Sequence, residues 1–176
     1  MKKIFILTII LLSNIAFLKA DAKVNSIVVG NENSKVNIIV YESLTCGHCA
    51  NFHKKVYPAL KTDYIDKGLV RIEFRSFPLD MAALNASKIA HCKNDGKTDI
   101  LHFLYKNQKK WVKGETIEDV NKHLKNIILE NKSELDFESC LVNKNIEDYV
   151  LNDRINAVKK FKIEATPTLI INDKKF

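Results

Sequence analysis

KVNIIVYESLTCGHC, residues 35–49, places two closely spaced cysteines directly after a strongly apolar, β-branched run. In the run from Lys35 to Tyr41, apolar side chains fall on both alternating faces, which is typical of a strand covered on both sides. The motif Cys46-Gly47-His48-Cys49 then opens a stretch in which an apolar residue recurs every fourth position: Phe52, Val56 and Leu60. This spacing predicts a helix that buries those three side chains.

A second strand is predicted from Val70 to Phe77, where apolar and charged residues alternate and leave one wetter face, and Pro78 ends it. Because a helix separates the two strands, they should pair in parallel through a right-handed crossover. Near the end of the sequence, Thr168 to Ile171 predicts a third strand. Asn172-Asp173 predicts a hairpin turn into a last strand from Lys174 to Phe176.

Residues 81–161 carry the periodicity of helices, with a short helical turn predicted from Leu135 to Leu141. The apolar sets are Ala82, Ala86, Ile89 and Ala90; Ile100, Phe103 and Leu104; Ile117, Val120, Leu124, Ile127 and Ile128; and Ile146, Val150, Ala157, Val158 and Phe161. The fold class is therefore α/β. One domain (21–176) has its core in 21–80 and 162–176, and a helical insertion in 81–161 separates the two parts.

The predicted sheet has an uncovered face. Helices on one face alone would leave the other face wet, although the strands are apolar on both. The sequence also stops soon after its last strand begins. We therefore expect a further C-terminal helix that this sequence does not include.

The first twenty residues have the pattern of a secretory signal peptide. Two lysines precede an apolar run from Ile4 to Leu18, and Ala20 stands before Asp21. The alternative is an uncleaved N-terminal anchor. Removing residues 1–20 takes away three lysines and no acidic residue, which reduces the net charge from +7 to +4, with 25 basic and 21 acidic residues. That balance, with scattered lysine pairs and no recognisable motif, argues against a nucleic-acid partner.

The Cys46–Cys49 motif allows four interpretations. A c-type haem site requires a histidine directly after the second cysteine, where Ala50 stands. A structural zinc site requires a second close ligand pair, whereas Cys92 and Cys140 are far apart. A structural disulfide across so short a loop contributes little, because the stabilisation grows with loop length. A redox-active dithiol fits the motif best.

The predicted roles of these residues follow from the start of a helix. Cys46 lies where unpaired backbone N–H groups stabilise a thiolate, and a protonated His48 adds positive charge. Cys49, one turn further into the helix, is predicted to be more buried and to act as the resolving thiol. Gly47 is predicted to keep the turn uncrowded.

A second motif that indicates a redox-active dithiol, Thr166-Pro167, precedes the third strand. A cis bond there would place backbone beside the dithiol, ready to pair with a substrate chain by strand addition, and would keep metal ligands away from the sulfurs. We expect neither a metal nor a cofactor. Cys92 and Cys140 form a second disulfide or remain two buried thiols. His53 and Trp111 are predicted to pack rather than to react.

Three segments resemble the DsbA-like thiol:disulfide oxidoreductases of the thioredoxin superfamily: Tyr41 to His53, Arg75 to Asp80, and Thr166 to Thr168. The resemblance implies a thioredoxin fold with an inserted helical subdomain. It also implies oxidative folding of reduced or unfolded exported proteins in the periplasm, with reoxidation by a DsbB-like membrane quinone reductase.

The resemblance leaves the direction of the reaction open. The Gly47-His48 dipeptide is that of protein disulfide isomerases, where the best-known bacterial oxidase has Pro-His. A disulfide isomerase or reductase of the same fold is therefore one alternative, and a thioredoxin-fold metal carrier or holdase is another. Isomerases usually need a dimerisation segment, and none is visible between Asp21 and Val36. This favours a monomeric oxidase.

Overall fold

The structure, a computed structural model, describes residues 23–131 and 134–176. The predicted signal peptide, 1–20, lies outside these residues. The elements in chain order are β1 (Ile27–Val29), β2 (Val36–Glu42), α1 (47–65), β3 (Val70–Ser76), α2 (Met81–His91), α3 (Asp99–Lys106), α4 (Gln108–Trp111), α5 (Ile117–Glu130), α6 (Phe137–Val142), α7 (Lys144–Phe161), β4 (Thr168–Ile171) and β5 (Lys174–Lys175).

The strands form a mixed sheet in the order β1-β3-β2-β4-β5. β2 and β3 pair in parallel through α1, with Val40 opposite Phe74, and the other pairs are antiparallel. The α/β class, the parallel pairing of the two strands that a helix separates and the helical region between β3 and β4 are confirmed. β1 was not predicted, because a strand of three residues is too short to show alternation.

Helices pack against both faces of the sheet. Val40 and Ile72 belong to the main core with α1, α2 and α3. On the opposite face, Tyr41 and Ile170 pack with Ala157 of α7, and the rings of Tyr41 and Phe161 lie 6.1 Å apart. The prediction that the strands are covered on both sides is therefore confirmed, and the second half of α7 covers the face for which no helix was predicted.

The outer face of β3 is drier than the alternation predicted. Glu73 is buried, and its carboxylate accepts a hydrogen bond from Arg75 Nε at 2.8 Å. Arg71 approaches the other carboxylate oxygen at 3.5 Å. The buried charge is tolerated here because it is paired with the two flanking guanidinium groups.

The first helical segment, α1, departs from the predicted four-residue spacing. It is α-helical over Gly47–Asn51 and Tyr57–Leu60 but π-helical over Phe52–Val56 and Lys61–Ile65. A π-turn adds a residue to the turn and so rotates the following side chains around the helix. Phe52 is buried as predicted, whereas Val56 is 50% exposed and Tyr57 is buried in its place. The predicted burial of Val56 is therefore wrong.

A capping box, a buried aromatic residue and a disulfide stabilise the helical region. α5 begins with a capping box between Thr116 and Asp119, and Trp111 is buried with its indole N–H donating to Leu104 O at 3.0 Å. A disulfide joins Cys92, directly after α2, to Cys140 in α6.

The last helix, α7, keeps part of its predicted apolar face. Ile146, Val150 and Ala157 are buried as predicted, but Val158 is 45% exposed, so its predicted burial is wrong. Among the helices within 23–131 and 134–176, none is both long enough and apolar enough to cross a membrane.

Candidate active site

The two closely spaced cysteines lie where β2 ends and α1 begins. Cys46 is the N-cap of α1, and its Sγ accepts a hydrogen bond from the N–H of Cys49 at 3.4 Å. Both cysteines are free thiols. Cys46 is partly exposed and Cys49 is fully buried, as the sequence predicted. One sulfur can therefore be reached from solvent while the other is enclosed.

The two thiols differ in their affinity for a proton. Partial burial acts to raise the pKa of Cys46. Hydrogen bonding to its sulfur by the side chains of Thr166 and Cys49 and by the backbone of Cys49 and His48 outweighs this effect, so the pKa is lowered. Burial raises the pKa of Cys49, and the nearby charge of Glu42 raises it further. A thiolate therefore forms on Cys46 in preference to Cys49.

The loop before β4 lies beside the reachable sulfur. The Thr166–Pro167 bond is cis, as predicted, and Thr166 O accepts a hydrogen bond from Cys46 Sγ at 3.3 Å. Pairing of Thr168 with Tyr41 holds this loop at the carboxyl end of β2.

The backbone before Cys46 is held by side chains from the helical region. Gln108 Nε2 donates to Leu44 O at 2.8 Å and to Cys46 O at 3.0 Å. Thr45 Oγ1 donates to Asp80 at 2.8 Å, and the same carboxylate caps α2. Neither contact was predicted, because each joins residues that are far apart in the sequence.

On the interior side of the cysteines, a series of polar side chains in contact with one another joins β2, α1 and α3. We call it the buried polar chain. His53 Nε2 lies 2.6 Å from Glu42 Oε2, and His53 Nδ1 lies 2.9 Å from His102 Nδ1. Tyr105 stacks on His53 with ring centroids 4.1 Å apart. Burial raises the pKa of Glu42, and His53 partly offsets this. Burial and the neighbouring His53 lower the pKa of His102 to about 4, which keeps that ring neutral at pH 7.

His53 was predicted to pack rather than to react, and its contacts with Glu42 and His102 were not predicted. The sequence feature that indicates such a partner is Glu42 itself, an acidic residue at the end of an apolar strand covered on both sides. Within the described ranges, no group of three or more histidine, cysteine or acidic residues could hold a metal ion.

The two residues between the cysteines are both exposed. A Cβ added at Gly47 would meet no atom within 4 Å. The predicted reason for this glycine, relief of crowding, is therefore wrong. His48 lies on the rim between two depressions, one of about 1210 Å³ beside α3 and α4 and one of about 470 Å³ beside Thr166 and Pro167.

Comparison with known proteins agrees with this geometry. A sequence model with the description Thioredoxin matches residues 22–176. The crystal structure of alpha-DsbA1 from Wolbachia pipientis superposes with a TM-score of 0.73 at 32% identity, over 86% of this chain and 78% of that chain.

Two curated proteins extend the comparison. Disulfide bond formation protein D of Bacillus subtilis (strain 168) is 27% identical over 157 residues, which cover 84% of this chain and 68% of that protein. A protein of Rickettsia bellii (strain RML369-C) is 29% identical over 154 residues, which cover 84% of this chain and 57% of its own length. The chain thus spans a little over half the length of the Rickettsia relatives that it matches.

Proposed function

The chain belongs to the thioredoxin family and, within it, to the DsbA-like proteins, and from this premise we propose that it is a thiol:disulfide oxidoreductase. Its oxidised Cys46–Cys49 pair passes a disulfide to reduced exported proteins. The observation that carries the proposal is the contrast between a reachable thiol of lowered pKa and an enclosed thiol of raised pKa, beside the cis Thr166–Pro167 loop.

The transfer takes two exchange steps. A substrate thiolate attacks Cys46 Sγ in the oxidised enzyme, the Cys46–Cys49 bond breaks, and Cys49 leaves as a thiolate that takes up a proton. A second substrate thiolate then attacks the substrate sulfur of this mixed disulfide and releases Cys46 as a thiolate. In total the substrate dithiol loses two electrons and two protons. The enzyme gains the two electrons and one proton, on Cys49, and the second proton goes to the solvent while Cys46 remains a thiolate.

The test of this proposal is stoichiometric transfer. Oxidised protein is mixed with an equimolar reduced peptide that has two cysteines, and peptide disulfide and enzyme thiols are counted by mass spectrometry after acid quenching. We expect one peptide disulfide for every two new enzyme thiols, on Cys46 and Cys49. A peptide that stays reduced contradicts the proposal and favours a binding role such as a holdase.

The buried polar chain supports a role for Glu42 in moving the proton of Cys49. Glu42 is close enough to Cys49 for its charge to raise the pKa of that thiol. The hydroxyl of Tyr105, whose pKa is raised by burial and by both of these charges, lies near the two groups. From Glu42, the series of polar contacts continues through His53 to His102, which lines the larger depression. We propose that Glu42 accepts the Cys49 proton when Cys49 acts as a nucleophile.

Replacing Glu42 with glutamine should slow the attack of Cys49 on a mixed disulfide at Cys46 by about a hundredfold, because the proton of Cys49 loses its acceptor. Removing the charge also lowers the pKa of Cys49, but that thiol stays protonated at pH 7, so loss of the acceptor dominates. Stopped-flow release of glutathione from the Cys46 mixed disulfide measures the step across pH.

The matched control is Glu73→Gln, because Glu73 is also a buried carboxylate but pairs with Arg71 and Arg75 of its own strand. It should leave the pH profile of the step unchanged. An unaltered profile in Glu42→Gln would remove Glu42 from the proton path.

The proposal also covers the direction of disulfide transfer, the location of the protein and its redox partner. We propose a monomer exported to the periplasm by residues 1–20 and reoxidised by a DsbB-like membrane quinone reductase. The basic and apolar pattern of 1–20 supports export, and the Cys92–Cys140 disulfide is typical of an oxidising compartment. Recovery of the protein from the cytoplasm with residues 1–20 attached contradicts this proposal.

The second candidate is a disulfide isomerase, which the Gly47-His48 dipeptide favours. An isomerase acts on proteins that already contain wrong disulfides, so recovery of activity from a scrambled substrate distinguishes it from an oxidase. Faster recovery from the scrambled substrate than from the reduced one would favour the isomerase.

A further inference from the structure

The larger depression beside the active site is a groove between α1 and the α3–α4 segment. Its volume of about 1210 Å³ exceeds the range of roughly 300–1,000 Å³ that is usual for small-molecule sites. Its aromatic walls are Tyr57 and Tyr105. A groove of this size with aromatic walls suits a segment of polypeptide.

The lysines and acidic residues of the groove lining are unequal in number, because lysines are present and aspartate and glutamate are not. Four exposed lysines line it, and no aspartate or glutamate does: Lys54, Lys106, Lys109 and Lys110. None of the four forms a salt bridge with any residue in the described ranges, whereas five other lysines do. The whole sequence has 28 basic and 21 acidic residues. Four lysines without an acidic neighbour are therefore a local concentration of positive charge, which we call the lysine groove.

The lysine groove is continuous with the reactive sulfur. Gly47 and His48 line it, and Gln108, which lies in the groove wall between Lys106 and Lys109, donates a hydrogen bond to Cys46 O. His48 and Asn51 also line the smaller depression, which includes Thr166 and Pro167. A chain that presents a cysteine to Cys46 therefore lies between the two depressions, and its flanking residues reach the lysines.

We infer that the lysine groove binds acidic segments that flank the reacting cysteine of the substrate protein. This inference rests on the proposed function and names the class of substrate. Unpaired lysines attract a negatively charged segment during approach, which raises the association rate more than it strengthens the final complex. An anionic membrane surface is less suitable, because the aromatic walls of the groove lie inside a concave space that a flat surface does not enter.

The test compares two reduced dithiol peptides of equal length. One carries aspartate and glutamate beside its cysteines, and the other carries asparagine and glutamine at the same positions. With oxidised protein at low ionic strength, we expect the acidic peptide to be oxidised about tenfold faster. The difference between the oxidation rates of the two peptides should disappear at about 0.5 M salt, where exposed charges are screened.

Variants identify the charges that cause the preference. In Lys106→Gln/Lys109→Gln/Lys110→Gln, the rate for the acidic peptide should fall to that of the neutral peptide. The matched control, Lys122→Gln/Lys159→Gln/Lys174→Gln, removes three exposed lysines outside the groove and should keep the preference.

Three results would overturn the inference. Equal oxidation of both peptides by the unmodified protein refutes the acidic preference while upholding the proposed function, whereas oxidation of neither peptide refutes both. The third is lysine-dependent binding to phosphatidylcholine vesicles with about 30% phosphatidylglycerol, without a peptide preference, which would assign the lysines to a membrane surface.

Discussion

Cys46→Ser should abolish disulfide transfer from this protein to a reduced dithiol peptide. No other sulfur among the described residues can replace it, because Cys49 is fully buried with a raised pKa and the remaining two cysteines are joined to each other. The hydroxyl of serine does not form a disulfide, so neither the mixed disulfide nor the internal one can form. The measurement is the yield of peptide disulfide in the stoichiometric transfer assay.

The control is Cys92→Ala/Cys140→Ala, which removes the other two sulfurs. This variant should still transfer one disulfide per folded molecule, provided that it is assayed below its melting temperature. Transfer by Cys46→Ser at the rate of the unmodified protein would show that the Cys46–Cys49 pair is not the disulfide donor.

The same double variant should lower the free energy of unfolding by about 4 kcal/mol, because the bond closes a loop with a sequence separation of 48 residues. In the chain-entropy account, the disulfide stabilises the fold by restricting the unfolded chain. For a protein of this size, the corresponding fall in melting temperature is roughly 8–16 °C. Alanine is chosen because Cys140 is buried, where a serine hydroxyl would lack a partner. Denaturant unfolding followed by far-UV circular dichroism measures the change.

A direct thiol count accompanies this experiment. Alkylation under denaturing conditions, without a reducing agent, should label Cys46 and Cys49 of the reduced protein but leave Cys92 and Cys140 unlabelled. An unchanged free energy of unfolding together with four labelled cysteines would contradict the disulfide.

The strands at the active site were predictable because the information is local. β2 and β4 lie within one residue of their predicted bounds, since alternation and turn residues decide them. The cis Thr166–Pro167 bond and the contrast between Cys46 and Cys49 were likewise readable, because each depends on a short motif at an element boundary.

The parts that were missed depend on contacts across the fold. The π-turn over Phe52–Val56 changes the hydrogen-bond register without a change in apolar spacing, so Val56 was misplaced. The Glu42–His53–His102 chain takes one residue from each of three elements, and no single segment shows it. In the same way, Gln108 reaches the backbone at Cys46 from the helical insertion.

The central claim is that the Cys46–Cys49 disulfide is readily transferred to a reduced substrate, because the Cys46 thiolate that this leaves is stabilised in the folded protein. A thiol whose pKa is lowered on folding stabilises the reduced form fully above its unfolded-state pKa of about 8.5. This stabilisation is lost as the pH falls through the folded-state pKa of Cys46. The raised pKa of Cys49 has no such effect at pH 7, where that thiol is protonated in both the folded and the unfolded chain.

The most direct measurement is the unfolding of the reduced and oxidised forms at a series of pH values, with the Cys92–Cys140 bond intact in both forms. The account predicts that the reduced form melts at a higher temperature at pH 7 and that its advantage shrinks as the pH falls. Equal melting temperatures at pH 7, or a more stable oxidised form, would contradict it.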